Sequence, residues 1–350
     1  MNIKDLLKYT LEAGASDLHL GVEAIPAIRI NGEIKNLNMP KVDVGMMDSV
    51  VDEILNKHQK EKLNEIFEID FSYHLDNLAR FRVNMFKQIN GMSAAFRTIS
   101  DKINSVEELG LPSILNELAL KEKGLILLTG PTGSGKSTTL AAMIDNVNEN
   151  KKKHIITVED PIEYYHHQNK CIVNQRELGH STLSFANALR SALREDPDVI
   201  LVGEMRDLET IQLALTAAET GHLVLSTLHT SSAVKTIDRI IDVFPSGQKD
   251  QIRSMLSESL VAVIAQKLVV NKNQDGRVPA CEIMVANTAV KNLIRENKIY
   301  QIPTIIQSGG KEGMQSLDMD LQRLLNTGMI NRNHAAEVAN TPELFENAIL

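Results

Sequence analysis

Cysteine is scarce in this sequence, which has only Cys171 and Cys281 among its 350 residues. Two cysteines cannot form a four-cysteine zinc site, and they argue against a secreted domain built on disulfides. No apolar run approaches the length that spans a bilayer. Residues 1–7, MNIKDLL, also lack the apolar core of a signal peptide. These absences favour a cytoplasmic protein without zinc, and they leave room for a membrane-embedded partner.

An excess of basic residues is also missing, because the formal net charge is −8 and no basic tail is present. Nucleic-acid-binding proteins usually carry a basic stripe or patch, so we expect no nucleic acid as the main partner. The apolar fraction of 43% and the charged fraction of 23% are typical of globular proteins. A chain of this length predicts two or three domains, each with its own core.

A glycine-rich stretch, GLILLTGPTGSGKST at residues 124–138, organises the rest of the sequence. It contains the pattern G-x-x-x-x-G-K-[ST] of the phosphate-binding loop. The alternative is a Gly/Ser-rich surface turn that matches by accident. The apolar runs 125–128 and 140–143 favour the phosphate loop, because they supply the strand before it and the helix after it.

The loop predicts an ATP site with bound Mg²⁺. Glycines allow successive N–H groups to point at phosphate oxygens, and the helix N-terminus adds partial positive charge. We expect Lys136 to reach the β- and γ-phosphates and the Ser137 hydroxyl to ligate Mg²⁺. The predicted ATP-binding residues here are Thr132, Gly133, Ser134, Gly135, Lys136, Ser137 and Thr138.

Residues 1–98 form a first predicted domain, of α/β type with antiparallel strands. Apolar spacing predicts a helix at 3–13 and further helix at 44–66, in one or two pieces. Strands are expected at 17–20, 27–30, 33–35, 68–73, 79–87 and 92–98. Asn31-Gly32 suits the turn of a hairpin. Residues 99–113 read as a linker, and a helix at 113–120 leads into a nucleotide domain that spans 114–350.

Three apolar strands in the second domain each end at polar residues. The strands are predicted at 154–158, 198–202 and 223–227. Their alternation with helices predicts a mainly parallel sheet covered on both faces. The loops that follow parallel strands meet at one edge, where ligands bind in open α/β sheets. We therefore expect Glu163, Glu204 and His229 to lie beside the phosphate loop.

Each of these side chains has a chemical role and a plain structural alternative. Glu204 would hold Mg²⁺ through water or polarise the attacking water, unless it only complements a helix dipole. Glu163 is a candidate general base, and Glu159 could serve instead. His229 could sense the γ-phosphate, although a lone histidine after a strand is usually structural.

Two groups of arginines carry further predictions. Arg80, Arg82 and Arg97 lie on the later strands of the first domain, where solvated strand arginines are the alternative to a function. Arg190, Arg194 and Arg206 flank the strand at 198–202. Arg190 and Arg194 are four residues apart on a predicted helix at 185–194. These arginines would form surface ion pairs or would lie at a subunit interface and act on a neighbouring nucleotide.

Taken together, the motifs resemble the secretion-type, RecA-like ATPases of bacterial type IV pili and type II secretion, and among them the pilus retraction ATPases. The resemblance covers nearly the whole chain and rests on residues 16–20 (SDLHL), 108–112 (ELGLP), 159–163 (EDPIE), 188–207, 221–230 and 289–296. The segment 289–296 resembles the retraction motif AIRNLIRE but has Val290 and Lys291 in place of Ile and Arg, so a bidentate guanidinium is lost there.

The resemblance implies an α/β fold, in which a small PAS-like α/β N-terminal domain precedes a RecA-like P-loop domain with a mainly parallel sheet and a C-terminal helical part. It implies that Glu163 is the catalytic glutamate, that Glu204 is the Walker B acid, and that Arg80, Arg82 and Arg97 contact nucleotide. It further implies a homo-hexamer that hydrolyses ATP with Mg²⁺ at the cytoplasmic side of a bacterial inner membrane.

In such a machine the expected partner is an inner-membrane pilus platform protein, with the pilin machinery engaged indirectly. The expected activity is pilus retraction by pilin depolymerisation. An assembly or secretion ATPase and an accessory retraction motor are rival enzymes, although the extension and secretion ATPases usually carry the four-cysteine zinc module that this chain lacks. A nucleic-acid translocase on the same core is a rival of another class, and DNA-stimulated ATPase activity with a steep salt dependence would support it.

Overall fold

The computed structural model describes residues 2–30, 32–75, 78–99 and 102–345. The chain divides into two units, residues 1–102 and 103–350. This division falls within the predicted linker at 99–113, of which residues 100 and 101 lie outside the described residues. No helix of the described residues is both long and apolar enough to cross a membrane.

The first unit is a six-stranded antiparallel sheet with helices. The helices are α1 (Ile3–Glu12), α2 (Val44–Ile54) and α3 (Lys57–Ile66). The strands are β1 (Asp17–Gly21), β2 (Ala27–Ile30), β3 (Glu33–Asn36), β4 (Glu68–Leu75), β5 (Ala79–Gln88) and β6 (Gly91–Ile99). They lie in the order β3-β2-β1-β6-β5-β4. The predicted hairpin is present as β2 and β3, and Asn31 of its turn lies outside the described residues.

Alternating apolar residues build the core of this unit. On β5, Phe81, Val83 and Met85 are fully buried, and their side chains point to one face because strand residues alternate. Phe96 on β6 lies opposite Val83 and is also fully buried. Helices α1 and α2 contribute apolar residues to the same cluster. The alternation of apolar and polar residues along the strands therefore places the apolar side chains in the core of the first unit.

The second unit is built on a seven-stranded sheet. Its strands are β7 (Gly124–Thr129), β8 (His154–Glu159), β9 (Ile172–Glu177), β10 (Val199–Val202), β11 (Leu223–Leu228), β12 (Leu260–Val270) and β13 (Arg277–Val285). Its helices are α4 (Ile114–Ala119), α5 (Lys136–Asn150), α6 (Phe185–Ala192), α7 (Leu208–Glu219), α8 (Ala233–Asp242), α9 (Lys249–Ser259), α10 (Thr288–Arg295), α11 (Ile302–Ser308), α12 (Leu317–Asn326) and α13 (Arg332–Val338). Short 3₁₀ turns occur at Ser246–Gln248, Ile299–Gln301, Gly310–Glu312 and Pro342–Leu344.

The strand order of this sheet is β13-β12-β7-β11-β10-β8-β9. Every neighbouring pair is parallel except β12 with β13, which is antiparallel. Val202, the last residue of β10, lies opposite Ser226 of β11 and Val158 of β8. Apolar clusters pack on the two faces of the sheet. The predicted mainly parallel sheet is confirmed, and its strands end at one edge.

Two details of the second unit differ from the sequence predictions. Strands β9, β12 and β13 were not predicted. The predicted helix at 185–194 ends at Ala192, with Leu193 as its C-cap, so Arg194 lies beyond it. The chain turns there because Pro197 disfavours helical backbone at Asp196, which has φ of +55°. The interpretation of Arg190 and Arg194 as two positions of one helix face was therefore wrong.

Removal of a core ring should destabilise the first unit. We expect Phe96→Ala to lower the free energy of unfolding by about 3–5 kcal/mol, because the ring is completely buried and leaves a cavity. Phe86 on the neighbouring strand, which is 36% exposed, provides the matched control. Urea denaturation followed by circular dichroism measures both variants, and equal losses for Phe96→Ala and Phe86→Ala would contradict this account of the core.

Candidate active site

A cavity of about 550 Å³ opens at the edge of the parallel sheet in the second unit. Such a volume is in the range of sites for small molecules and cofactors. Its lining combines the phosphate loop with the ends of β8, β10 and β11. The lining includes Thr132, Lys136, Glu163, Glu204, Thr227 and His229. The predicted lysine, acids and imidazole, which are far apart in sequence, therefore share one cavity.

The phosphate loop connects the buried strand β7 to helix α5 by a turn that requires glycine. Gly130 has φ of +144° and Gly135, the N-cap of α5, has φ of +84°. A Cβ atom at Gly130 would lie 2.3 Å from the main-chain oxygen of Gln266 on β12. A Cβ atom at Gly135 would lie 2.9 Å from Nε2 of the same residue. Backbone conformation therefore disfavours a side chain at both positions, and at Gly130 the adjacent main chain also leaves no space for one.

The side chain of Lys136 is folded onto the loop that carries it. Its Nζ donates to the carbonyl oxygen of Gly130 at 2.9 Å and to that of Pro131 at 3.0 Å. Burial lowers the pKa of Lys136, while the carboxylates of Glu204 and Glu163 act in the opposite direction. The ammonium group is therefore held at the cavity by two weak neutral acceptors and by the field of two acids.

Ser137 and Glu204 are the residues that would hold Mg²⁺. Both line the cavity, and hydroxyl and carboxylate oxygens suit this hard cation. Among the described residues, no group of three or more His, Cys, Asp or Glu side chains is arranged to hold a metal ion. Protein sites commonly hold Mg²⁺ through one or two side chains together with substrate phosphates.

Glu204 follows β10 and is held by two cationic or potentially cationic partners. Its Oε1 accepts from Nε of Arg206 at 2.7 Å and from Nε2 of His229 at 3.2 Å. Burial opposes ionisation of Glu204, but the hydrogen bond from Arg206 and the nearby His229 outweigh it, and its pKa lies below the usual value. The hydroxyl of Thr227 donates to the carbonyl of Gly203 at 2.6 Å and fixes the turn that follows β10. Glu204 is therefore an oriented carboxylate.

Glu159 and Glu163 lie in different environments after β8. Glu159 accepts a hydrogen bond from the Thr157 hydroxyl at 2.7 Å and another from the backbone of Glu163. Burial raises the pKa of Glu159 to about 7, although these hydrogen bonds act to lower it. Glu163 is exposed at the cavity. Glu159 thus serves the turn, and Glu163 faces the space where a substrate would lie.

The turn that carries Glu163 is anchored by residues that the sequence did not single out. Gln175 on β9 donates to the carbonyl of Tyr164 at 2.9 Å and accepts from the backbone N–H of His166 at 2.9 Å. The Tyr164 hydroxyl pairs with the Thr138 hydroxyl at 2.8 Å. The turn is therefore bound to the edge strand on one side and to the helix of the phosphate loop on the other.

Arg80, Arg82 and Arg97 lie in the first unit, where Arg82 is opposite Arg97 in the pairing of β5 with β6. Arg97 pairs with the buried Asp17 at 3.0 Å, and Arg82 pairs with Asp70 at 3.6 Å. Their role toward nucleotide stays a prediction.

The remaining three arginines differ in their partners. Arg190 forms an ion pair with Glu209, and Arg206 pairs with Glu204. Arg194 is exposed, and within residues 102–345 no ion pair is formed by its side chain.

Comparison with known proteins places these features in context. Residues 2–323 match the family described as Type II/IV secretion system protein. The chain is 53% identical over 345 residues to the Type IV pilus retractation ATPase PilT of Pseudomonas aeruginosa, covering 99% of this chain and 100% of that protein. It is 55% identical over 318 residues to a twitching motility protein of Neisseria gonorrhoeae, covering 91% of this chain and 85% of that protein.

Among solved structures, the pilus retraction motor PilT with bound ADP superposes with a TM-score of 0.92 at 47% identity, and the match covers 98% of each chain. The similarity in sequence and the similarity in structure both extend over the first and second units. These matches confirm the predicted RecA-like P-loop fold and the resemblance to the pilus retraction ATPases.

The raised pKa of Glu159 predicts a pH-dependent stability. Between about pH 4.5 and about pH 7 the folded protein binds the Glu159 proton more tightly than the unfolded chain does, so this residue lowers stability as the pH rises through that window. We expect Glu159→Gln to remove this loss, so that its stability relative to the wild type increases from pH 5 to pH 8. Urea denaturation across this range measures it.

The control for this prediction is Glu117→Gln, which changes an exposed carboxyl on α4. The difference in free energy of unfolding between Glu117→Gln and the wild type should vary less between pH 5 and pH 8 than the difference for Glu159→Gln. A pH-independent difference for Glu159→Gln would show that the Glu159 carboxyl does not titrate abnormally.

Proposed function

The chain belongs to the Type II/IV secretion system protein family, and from that membership we propose that it is an ATPase motor that retracts the type IV pilus and so drives twitching motility. One observation carries the proposal: Lys136, Glu163, Glu204 and His229 line one cavity at the edge of a parallel sheet. The names of the relatives indicate pilus retraction and twitching motility as the process that this chemistry would drive. The activity is ATP hydrolysis.

In this proposal the phosphate loop binds the triphosphate and Lys136 stabilises charge on its outer phosphates. The ammonium group would exchange the carbonyls of Gly130 and Pro131 for phosphate oxygens, which are much stronger acceptors. Mg²⁺, held by Ser137 and by Glu204 directly or through water, would neutralise further phosphate charge. Glu204 would have to leave Arg206 or share its carboxylate with this ion.

We assign the role of general base to Glu163 and not to Glu159. Glu163 is exposed at the cavity, where a hydrolytic water could reach it. The carboxylate of Glu159 is engaged by Thr157 and by the backbone of Glu163. Glu159 would therefore hold the turn in place while Glu163 takes the proton, a function that is typically worth ~10²–10⁴ in rate. His229, bonded to Glu204, would report the state of the outer phosphate.

The active form in our proposal is a homo-hexamer at the cytoplasmic side of the inner membrane. Its partner would be the pilus platform protein of that membrane, with pilin engaged indirectly. Arg194 is the arginine best suited to reach a neighbouring subunit, because Arg190 and Arg206 are paired within the chain. Arg80, Arg82 and Arg97 would contact the nucleotide from the first unit. Each site would then be complete only in the ring.

A retraction motor and an assembly motor differ in the phenotype of their loss. If this chain retracts pili, a deletion strain keeps its pili but does not twitch. If it assembles or secretes, the strain lacks pili. An accessory retraction motor would leave partial twitching when it is deleted, so the extent of the loss separates it from the main motor.

Lys136→Ala should lower ATP hydrolysis by about 10²–10³-fold, because one positive group that stabilises developing phosphate charge is lost. Phosphate release by the purified protein measures this, and twitching of a deletion strain that carries the variant measures its consequence. Lys152→Ala, which removes an exposed lysine between α5 and β8, is the control and should retain both activities. Normal twitching with Lys136→Ala would contradict the proposed motor.

Arg194→Ala should lower kcat by about 10³-fold if this arginine acts on the nucleotide of a neighbouring subunit. Arg190→Ala is the matched control, and it should change kcat little because the Arg190 side chain is engaged within the chain by Glu209 and Asn187. Mixing Arg194→Ala with Lys136→Ala should restore activity, since a Lys136→Ala subunit supplies its arginine to an intact neighbouring phosphate loop. A mixture as inactive as its components would contradict the shared site.

A further inference from the structure

Gln266 is a buried amide in the middle of the apolar strand β12, and it is 2% exposed. Both ends of its amide group are engaged by the phosphate-loop segment. Nε2 donates to the main-chain carbonyl of Ser134 at 2.7 Å, and Oε1 accepts from the hydroxyl of Thr139 at 2.8 Å. A carbonyl oxygen only accepts, so the nitrogen end of the amide must face Ser134. One side chain thus joins the loop to the first turns of α5.

The bond to Ser134 fixes the direction of a peptide group in the loop. The peptide between Ser134 and Gly135 is trans, so its C=O and its N–H point in opposite directions. Because the carbonyl points to β12, the N–H of Gly135 points away from β12. Gly135 lines the cavity, and no described hydrogen bond within the second unit uses its N–H.

The surrounding geometry agrees with a close fit between this strand and the loop. A Cβ atom at Gly135 would come within 2.9 Å of Gln266 Nε2, and one at Gly130 within 2.3 Å of the Gln266 main-chain oxygen. The Gln266 amide therefore occupies the space that a side chain at Gly135 would need, and the Gln266 main chain occupies the space that one at Gly130 would need. Lys136, whose ammonium group bonds to Gly130, follows directly on the peptide that Gln266 orients.

We propose that Gln266 is a positioning residue for the nucleotide: it turns the Ser134–Gly135 peptide so that the Gly135 N–H is presented to the phosphates. The proposal rests on ATP binding at this cavity, as in the proposed function. A buried amide with only a packing role would stabilise the fold without changing the affinity for phosphate. The two roles therefore differ in what a variant changes.

The test uses Gln266→Met in the full chain, because methionine has a similar volume and cannot donate to Ser134. We expect the Kd for fluorescently labelled ADP to rise about 10- to 100-fold, as for the loss of a hydrogen bond to a charged group. Competition by adenosine, which has no phosphate, should be unchanged. The matched control is Asn148→Leu.

Asn148 is a buried amide at the other end of α5 that bonds to His167, Asn169 and Cys171. Its replacement should lower the Tm of the nucleotide-free protein and leave the Kd for ADP unchanged. An unchanged Kd for ADP in Gln266→Met, with only the Tm lowered, would overturn the proposal. If Lys136→Ala still lost ADP binding in that case, the proposed function would stand without it. If the wild type bound no ADP, both would fall.

Thr139→Val keeps the test decisive if Gln266→Met does not fold. This change removes the hydroxyl that holds Oε1 and leaves the Ser134 bond available, so it loosens the amide without removing it. We expect a rise in the Kd for ADP that is smaller than the rise for Gln266→Met. A Kd equal to that of the wild type would count against the positioning role, because valine matches threonine in shape.

Discussion

Parallel pairing of β7, β11, β10 and β8 is the constraint on which the active site depends. The strands end within two residues of one another, as the pairing of Val202, the last residue of β10, with Val158 and Ser226 shows. Their residues are almost wholly buried, so a slip in register would expose apolar side chains and bury polar ones. The hydrophobic core therefore sets where each following loop starts. The phosphate loop, Glu163, Glu204 and His229 meet at one cavity because the strands before them cannot shift.

The charges that meet there balance one another within the chain. Lys136 carries a cation into a partly buried position where burial lowers its pKa, and Glu163 and Glu204 oppose that effect. Arg206 and His229 in turn hold Glu204. In each of these contacts, one of the groups would also bind ATP or Mg²⁺ in the proposed motor. Nucleotide binding in the proposed motor is therefore an exchange of partners among groups that are already in place, and it requires no buried charge to be left unpaired.

The sequence predicted the strands that lead into the site and the phosphate loop, but it missed β12, which is also an apolar run. The strands β7, β8, β10 and β11 are short apolar runs, and the phosphate loop carries its own glycine pattern. Strand β9 was missed because it lies at the edge of the sheet, where Asn174 and Gln175 interrupt the apolar pattern. The orientation of Gln266 could not be predicted, because its partners Ser134 and Thr139 lie more than 120 residues earlier in the chain. A polar residue within a buried strand was the one available signal.

The two missed amides have a common physical logic. Gln175 lies on β9, beside β8, and holds the turn that carries Glu163. Gln266 lies on β12, beside β7, and holds the phosphate loop. Loops at a sheet edge lack the ladder bonds that fix strands, so their backbone groups need partners from elsewhere. A glutamine on each adjoining strand supplies a donor and an acceptor without adding charge to a site already crowded with it. The geometry of the candidate site thus involves hydrogen bonds from neutral residues outside the motifs as well as the charged residues within them.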